Sequence, residues 1–405
     1  MDPEIRKIKK RVRGFSPEIT DTLCDLIAIP TVNPPGKAYQ ECAEYLCARL
    51  KDWGLKHRLV RIPDAKYPRY SIIGAHDSRK ESLHFHGHYD VVPADSDRQF
   101  EPVQKDGCLY GRGSSDMKGG LVAMLFALLA FRDCEFGKYG NITFSLVPDE
   151  ETGGSRGTRH LFEAGLISRK IKGMLMPEPT SGVVWNANKG ALTSRITVKG
   201  KPAHVALECT GDNAFERMIG IARSLFELRK DVQKRKTSLA VEPPQANRSA
   251  MLIGGESGSG VNFNVVPDKA FFTVDRRLNP EENLDDARAE LMEVFDEHIK
   301  KGADLAVEML QEGESSLADP ASPLALALMH SVKSITGLEP VFELCPGLCE
   351  IRFFNNKHIP AYAYGPGILE VSHGPREYVR IRDILDCTAI YALTALRFFI
   401  DQVKK

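Results

Sequence analysis

Short apolar strands alternate with helices through the first 180 residues, and this alternation constrains the fold more tightly than any other feature of the chain. Ser16 followed by Pro17 opens a helix, a cap residue with proline in the first turn. Ile19, Leu23, Leu26 and Ile27 follow at helical spacing, and the helix stops near Pro30. Thr31-Val-Asn-Pro-Pro-Gly36 is a turn cluster, and residues 39–53 form an amphipathic helix. Residues 70–73, 82–89, 141–147 and 173–176 read as strands, and residues 119–131 and 157–165 as helices. Such alternation predicts helices packed on a mostly parallel sheet, an α/β/α layering.

The middle of the chain has a different grammar. Strand, helix, strand, strand, helix, strand follow one another at 191–198, 214–228, 251–254, 270–278, 283–301 and 305–310. That βαββαβ order is ferredoxin-like and can stand as a domain. The Gly-rich stretch Gly254-Gly-Glu-Ser-Gly-Ser-Gly260 lacks phosphate-loop spacing and reads as a flexible loop between two strands. After it the α/β pattern resumes, with a helix at 323–335, a strand at 360–364 and a helix at 380–403. The predicted organisation is two-domain: a catalytic domain at 1–187 and 313–405, with an inserted lid and dimerisation domain at 188–312. A length of 405 residues agrees with two domains.

Composition narrows the class of partner. Lys plus Arg and Asp plus Glu number 54 each, so the balance gives no support for a nucleic-acid or membrane-surface partner. The basic start has no apolar stretch behind it and is no secretory signal. The longest apolar run, 121–131, falls short of the roughly 20 residues a bilayer needs and reads as a buried helix. The nine cysteines are scattered, without Cys-x-x-Cys spacing, as expected of free thiols in a cytoplasmic protein.

The residues suited to chemistry sit on turns that follow apolar strands. His86-Gly-His-Tyr-Asp90 ends a strand, with His88 fit to ligate a metal and Asp90 to steady its other ring nitrogen. Asp116 lies in the Gly-rich turn Gly111-Arg-Gly-Ser-Ser-Asp-Met-Lys-Gly-Gly120, where a carboxylate can bridge two ions or simply cap the next helix. Glu150 and Glu151 follow the 141–147 strand, and adjacent glutamates point apart, so one can ligate while the other moves protons. Glu178 stands between two prolines after another apolar strand, and His373 follows Gly365-Pro-Gly367. Each alone is more simply a polar loop residue; His84 and His86 read as satisfied strand histidines. Together, two histidines and three carboxylates suit zinc, cobalt or manganese, and exceed the needs of one tetrahedral ion.

These segments, in this order, resemble the zinc aminoacylase/carboxypeptidase family of acetylornithine deacetylase, succinyl-diaminopimelate desuccinylase and glutamate carboxypeptidase. The likeness runs from Ile29-Pro-Thr-Val-Asn-Pro-Pro-Gly36 through His86–Pro93, Gly111–Gly120, Asp149-Glu-Glu-Thr-Gly153 and Glu178-Pro-Thr180 to Ser372-His373. It implies one metal on His88, Asp116 and Glu178 and a second on Asp116, Glu151 and His373. Glu150 would be the general base and acid, Asp90 the group orienting His88, and Asp116–Met117 a cis peptide. Gly200-Lys-Pro-Ala-His204 resembles a segment whose histidine reaches an active site, often the partner subunit's. Asn264, Arg277 and Gly367 fall in segments that would bind substrate, with Arg276 the alternative to Arg277. The implied activity is hydrolysis of an N-acyl amino acid by a homodimer; a dipeptidase or carboxypeptidase on the same two metals is the alternative. One departure stands out: Glu350-Ile-Arg352 has a glutamate where many relatives carry an aspartate.

Overall fold

The computed structural model describes residues 2–63, 67–74 and 81–403. The chain divides into two compact units, one of Met1–Asn186, Ala318–Phe342 and Glu350–Lys405, the other of Ala187–Leu317 and Glu343–Cys349.

The first unit is built on one twisted sheet. Its strands lie in the order His57–Ile62, Arg69–Gly74, Asn141–Val147, Ser82–His88, Ile171–Met176, Ala361–Ala363 and Val184–Asn188. The four central strands are mutually parallel, as the alternation predicted. The outer ones pair antiparallel. All seven residues of Ser82–His88 are buried, because both faces of a parallel sheet are covered. Its side chains sort the two helical layers. Phe85 meets Tyr391 of the helix Ile381–Val403. His84 and His86 point the other way and meet Phe354 of the helix Ile351–Asn355.

The helix Gly119–Asp133 is buried from its first residue through Phe131, which explains why it has no polar face. The stretch Ser114–Asp133 is long and apolar enough to cross a membrane by composition, but 94 % of its apolar window lies inside the protein. It packs against Ile381–Val403 and Pro3–Gly14. At its start Gly120 meets the strand-end turn before Glu178, where a Cβ would run into the Pro177 carbonyl oxygen.

The second unit carries a four-stranded sheet in the order Ala250–Ser259, Lys269–Leu278, Gly190–Lys199, Asp304–Gly313, antiparallel throughout. Helices Ala214–Val232 and Leu284–Lys300 pack on it, giving the ferredoxin-like arrangement. Asn213 and Asn283 cap those helices, each accepting two backbone amides.

Several local expectations fail for identifiable reasons. The Gly-rich stretch is not a loop: the strand Ala250–Ser259 runs through most of it, with its register shifting between Ile253 and Ser257. Gly254, at φ +81°, supplies the left-handed residue this irregularity needs. Ser16 is not a cap residue; it is the first residue of the helix Ser16–Ala28, and Phe15 stands at the cap position. A preceding helix, Pro3–Gly14, went unread, although Ile5, Ile8 and Val12 bury at helical spacing and Asp2 caps it. The strands His57–Ile62 and Val184–Asn188 were also missed.

The close approach at Gly120 gives a direct stability test. Gly120→Ala should cost about 1–3 kcal/mol in urea unfolding, the usual penalty for overpacking. Gly137→Ala, where a Cβ meets nothing within 4 Å, should leave the midpoint nearly unchanged.

Candidate metal centre

Because the central strands run parallel, their C-terminal ends share one edge, where open α/β sheets hold ligands. His88 ends the first strand, Glu150 and Glu151 form the turn after Asn141–Val147, and Glu178 follows Ile171–Met176. Asp116 stands in the turn that leads into the buried helix, and His373 in the loop after Ala361–Ala363.

The side chains of these turns form two triads that share Asp116. His88, Asp116 and Glu178 make one, and Asp116, Glu151 and His373 the other, with each set of ligand atoms within 4.8 Å. Asp116 Oδ1 lies 3.3 Å from His88 Nε2, and Oδ2 lies 3.2 Å from His373 Nε2. The two oxygens of one carboxylate thus face the two histidines. Glu178 Oε1 is 3.9 Å from His88 Nε2, and Glu151 Oε2 is 3.3 Å from His373 Nε2. The Asp116–Met117 peptide is cis.

The donor set fits divalent ions. His88 Nε2 and Glu151 Oε1 are buried polar atoms with no hydrogen-bond partner, an expense a protein does not bear without reason. Mixed imidazole and carboxylate donors suit zinc and its neighbours.

Proton affinities report the crowding of charge. Burial works against a charged His88, but Asp116 and Asp90 outweigh it and hold the ring well above its ordinary pKa. Hydrogen bonds from His373 to Asp116 and Glu151 push it up to about 11. Burial would raise Asp116, yet the two histidines pull it below the carboxylate range. Burial pushes Glu151 up to about 7, and pushes Glu150 well above its usual range, with Glu151 and Glu350 reinforcing.

A set of buried polar groups supports these residues from behind. His88 Nδ1 lies 3.0 Å from the backbone carbonyl of Asp90 and 3.3 Å from its carboxylate. The Asp90 carboxylate meanwhile accepts the backbone amides of Glu150 and Glu151, each at 3.2 Å, and the Asn33 amide at 2.8 Å. Asn33 also donates to Thr152 Oγ1. Asp149, held left-handed at φ +78°, accepts Arg69 at 2.9 Å. The sequence gives Asn33, Arg69 and Asp149 no role, although Asn33 and Asp149 lie inside segments that carry the family resemblance.

The departure at Glu350 also finds its place. Glu350 is fully buried and pairs with His86 at 2.8 Å, while Arg352 donates to the Gly153 carbonyl at 2.7 Å, beside the glutamate turn. His84 bonds Thr143 and Ser145, so both extra histidines are satisfied within the sheet face. Gly367 packs against the Asp116 turn, where a Cβ would strike Ser115 Oγ.

The other residues the resemblance singles out, His204, Asn264 and Arg277, lie in the second unit. His204 is exposed, and its Nδ1 accepts the Ala206 amide, so a neutral ring carries its proton on Nε2. Val205 donates to the Asn264 carbonyl, which places Asn264 beside His204. Arg277 is gripped through Nε and Nη2 by Asp275, at 2.7 and 3.0 Å. Arg276 is wholly buried and paired with Glu282 and Glu290, a structural role that leaves Arg277 as the accessible arginine.

Three comparisons bear on this geometry. The profile described as Peptidase family M20/M25/M40 matches residues 84–397. The chain is 29 % identical over 396 residues to a succinyl-diaminopimelate desuccinylase of Pseudomonas fluorescens, covering 94 % of this chain and 98 % of that one. Among solved structures, it resembles a di-peptidase from Saccharomyces cerevisiae (TM-score 0.78, 17 % identity, 99 % of each chain covered). It also resembles an M20 family metallo-carboxypeptidase from Sulfolobus solfataricus (TM-score 0.76, 20 % identity, 95 % and 99 % covered).

Protons and metal ions compete for the same atoms here. Both histidines and Glu151 have raised proton affinities, and ligands must lose their protons to bind an ion, so ion binding expels protons. Zinc affinity should therefore fall as pH falls. Calorimetry near pH 7 in two buffers of different ionisation enthalpy should show net proton release, and a pH-independent affinity would contradict this.

Proposed function

Starting from a chain that belongs to peptidase family M20/M25/M40, and is thus a metal-dependent amidohydrolase, we propose that it hydrolyses the amide bond of an N-acyl amino acid of the succinyl-diaminopimelate or acetylornithine type. The single observation that carries the metal-assisted hydrolysis is Asp116, whose two oxygens face His88 on one side and His373 on the other.

His88, Asp116 and Glu178 would hold one ion, and Asp116, Glu151 and His373 the other. Two divalent ions, zinc foremost with cobalt or manganese as substitutes, would supply the Lewis acidity that activates water and polarises the carbonyl. Glu150 takes the proton from the attacking water and returns it to the leaving amine. Asp90 fixes the Glu150 turn and the His88 ring together. His204 donates from Nε2 to the carbonyl oxygen as charge builds there, a contact worth about 3–4 kcal/mol in such sites. Arg277 and Asn264 receive the substrate's carboxylate, and Gly367 shapes the wall beside Asp116. These last roles rest on the family resemblance and on the exposure of His204 and Arg277.

A peptide bond is also an amide, so the same groups would serve a dipeptide. Likeness of fold to a di-peptidase says nothing about substrate. The desuccinylase is the more similar in sequence, at 29 % identity against 17 % for the di-peptidase, and that favours the N-acyl reading.

We further assign the protein to the cytoplasm, where its nine free thiols would stay reduced. We expect a homodimer formed through the second unit, whose helix Ala214–Val232 leaves Phe215, Ile219 and Phe226 exposed. Light scattering that shows a monomer at micromolar concentration would rule the dimer out.

The decisive experiment is turnover by the zinc-loaded protein on N-succinyl-diaminopimelate, N-acetylornithine, other N-acyl amino acids and dipeptides. Glu150→Gln should lower kcat by at least about 10²-fold while both ions stay bound. A preference for dipeptides would move the function to the peptidase reading. Undiminished kcat in Glu150→Gln would remove Glu150 from the mechanism.

A further inference from the structure

The motif Gly111-Arg-Gly-Ser-Ser-Asp116 contains an arginine for which the chemistry described so far has no use. Arg112 is 1 % exposed and forms an ion pair with Glu377, also 1 % exposed, at 2.7 Å. The two partners grip different turns. Glu377 Oε1 accepts the backbone amides of Ser115 and Asp116, at 2.9 and 3.0 Å. Arg112 Nη2 donates to the carbonyl of His373 at 3.0 Å and of Pro93 at 3.2 Å. Nη1 reaches the Gly374 carbonyl at 3.4 Å. One ion pair therefore ties the turn that carries Asp116 to the loop that carries His373.

The two triads depend on this tie unequally. The His88 side chain is completely buried, and its Nδ1 is held by Asp90. The His373 side chain is 51 % exposed, and its backbone sits in the left-handed region at φ +64°. Packing cannot fix such a ring; its backbone anchor must. A guanidinium suits that task, because its planar fork can serve a carboxylate and several carbonyls at once, where an ammonium cannot.

We propose that Arg112 and Glu377 are positioning residues that set the distance between Asp116 and His373, and so control the affinity of the second metal site without governing the first. This inference rests on the reading of the two triads as metal sites.

The test is stepwise titration of metal-free protein with Zn²⁺ by calorimetry, with thermal unfolding alongside. His373→Ala identifies which binding step belongs to the second site. In Arg112→Lys that step should weaken about 10–100-fold, the usual effect of losing a group that supports a ligand. The other step should stay within about twofold. If both steps weaken together, or neither does while Tm falls, the pair is only part of the fold and the proposal is overturned. Should Arg112→Lys not fold, Glu377→Gln, which keeps shape and an acceptor, is judged by the same two affinities. A wild-type protein that binds fewer than two ions sinks the underlying metal reading instead, a result visible before any variant is made.

Discussion

Five carboxylates, those of Asp90, Asp116, Glu150, Glu151 and Glu178, are gathered at one edge of the sheet, and the rest of the site answers their mutual repulsion. Like charges this close cannot all persist in a low-dielectric setting. The answer is visible in proton affinities: those of His88 and His373 are raised toward the charged form, and those of Glu150 and Glu151 toward the neutral form. Asp116 stays ionised because it alone has a histidine against each oxygen. An arrangement that binds protons so strongly at neutral pH is one in which two dications would find their charge already provided for.

The crowding is possible because of sheet direction. Parallel strands bring every carboxyl end to the same edge, so residues far apart in sequence meet without long loops. Close backbone contact then fixes the spacing. Gly120 lets the buried helix start against Pro177, and Gly367 lets the last loop lie on the Asp116 turn. A side chain at either place would separate two ligand-bearing turns by the width of a methyl group. These glycines serve the site by what they leave out.

Much of this was legible in the residues because the ligand turns announce themselves locally. An apolar run ending in a carboxylate turn bounded by Gly or Pro is visible at Glu151 and Glu178, and a Gly-rich turn before an apolar helix marks Asp116, without any knowledge of the partner. What stayed hidden depends on pairing across long separations. Arg112 and Glu377 are 265 positions apart, and Arg69 and Asp149 are 80 apart. No local pattern marks either pair as buried. Asn33 was read as part of a turn, which it is, but its amide group reaches Asp90 through a fold that the turn alone does not specify. The Gly-rich strand misled for the opposite reason. Glycine favours loops on average, yet the segment is drawn into the sheet by its neighbour, with Ser257 to Ser259 pairing to Ala270 to Phe272.

The supporting groups also divide the site into parts of different stiffness. Asp90 binds the His88 ring and both glutamate amides to one carboxylate, and Asn33 locks that carboxylate in turn. Asp90 thus ties the buried His88 ring to the backbone of the turn that carries Glu150 and Glu151. His373 is outside it, on an exposed loop anchored through its own carbonyl. A site that must admit an amide, hold it against an activated water and release two products benefits from such a division. His88 is buried and held from behind by Asp90, whereas His373 is half exposed and is held through its backbone carbonyl by Arg112.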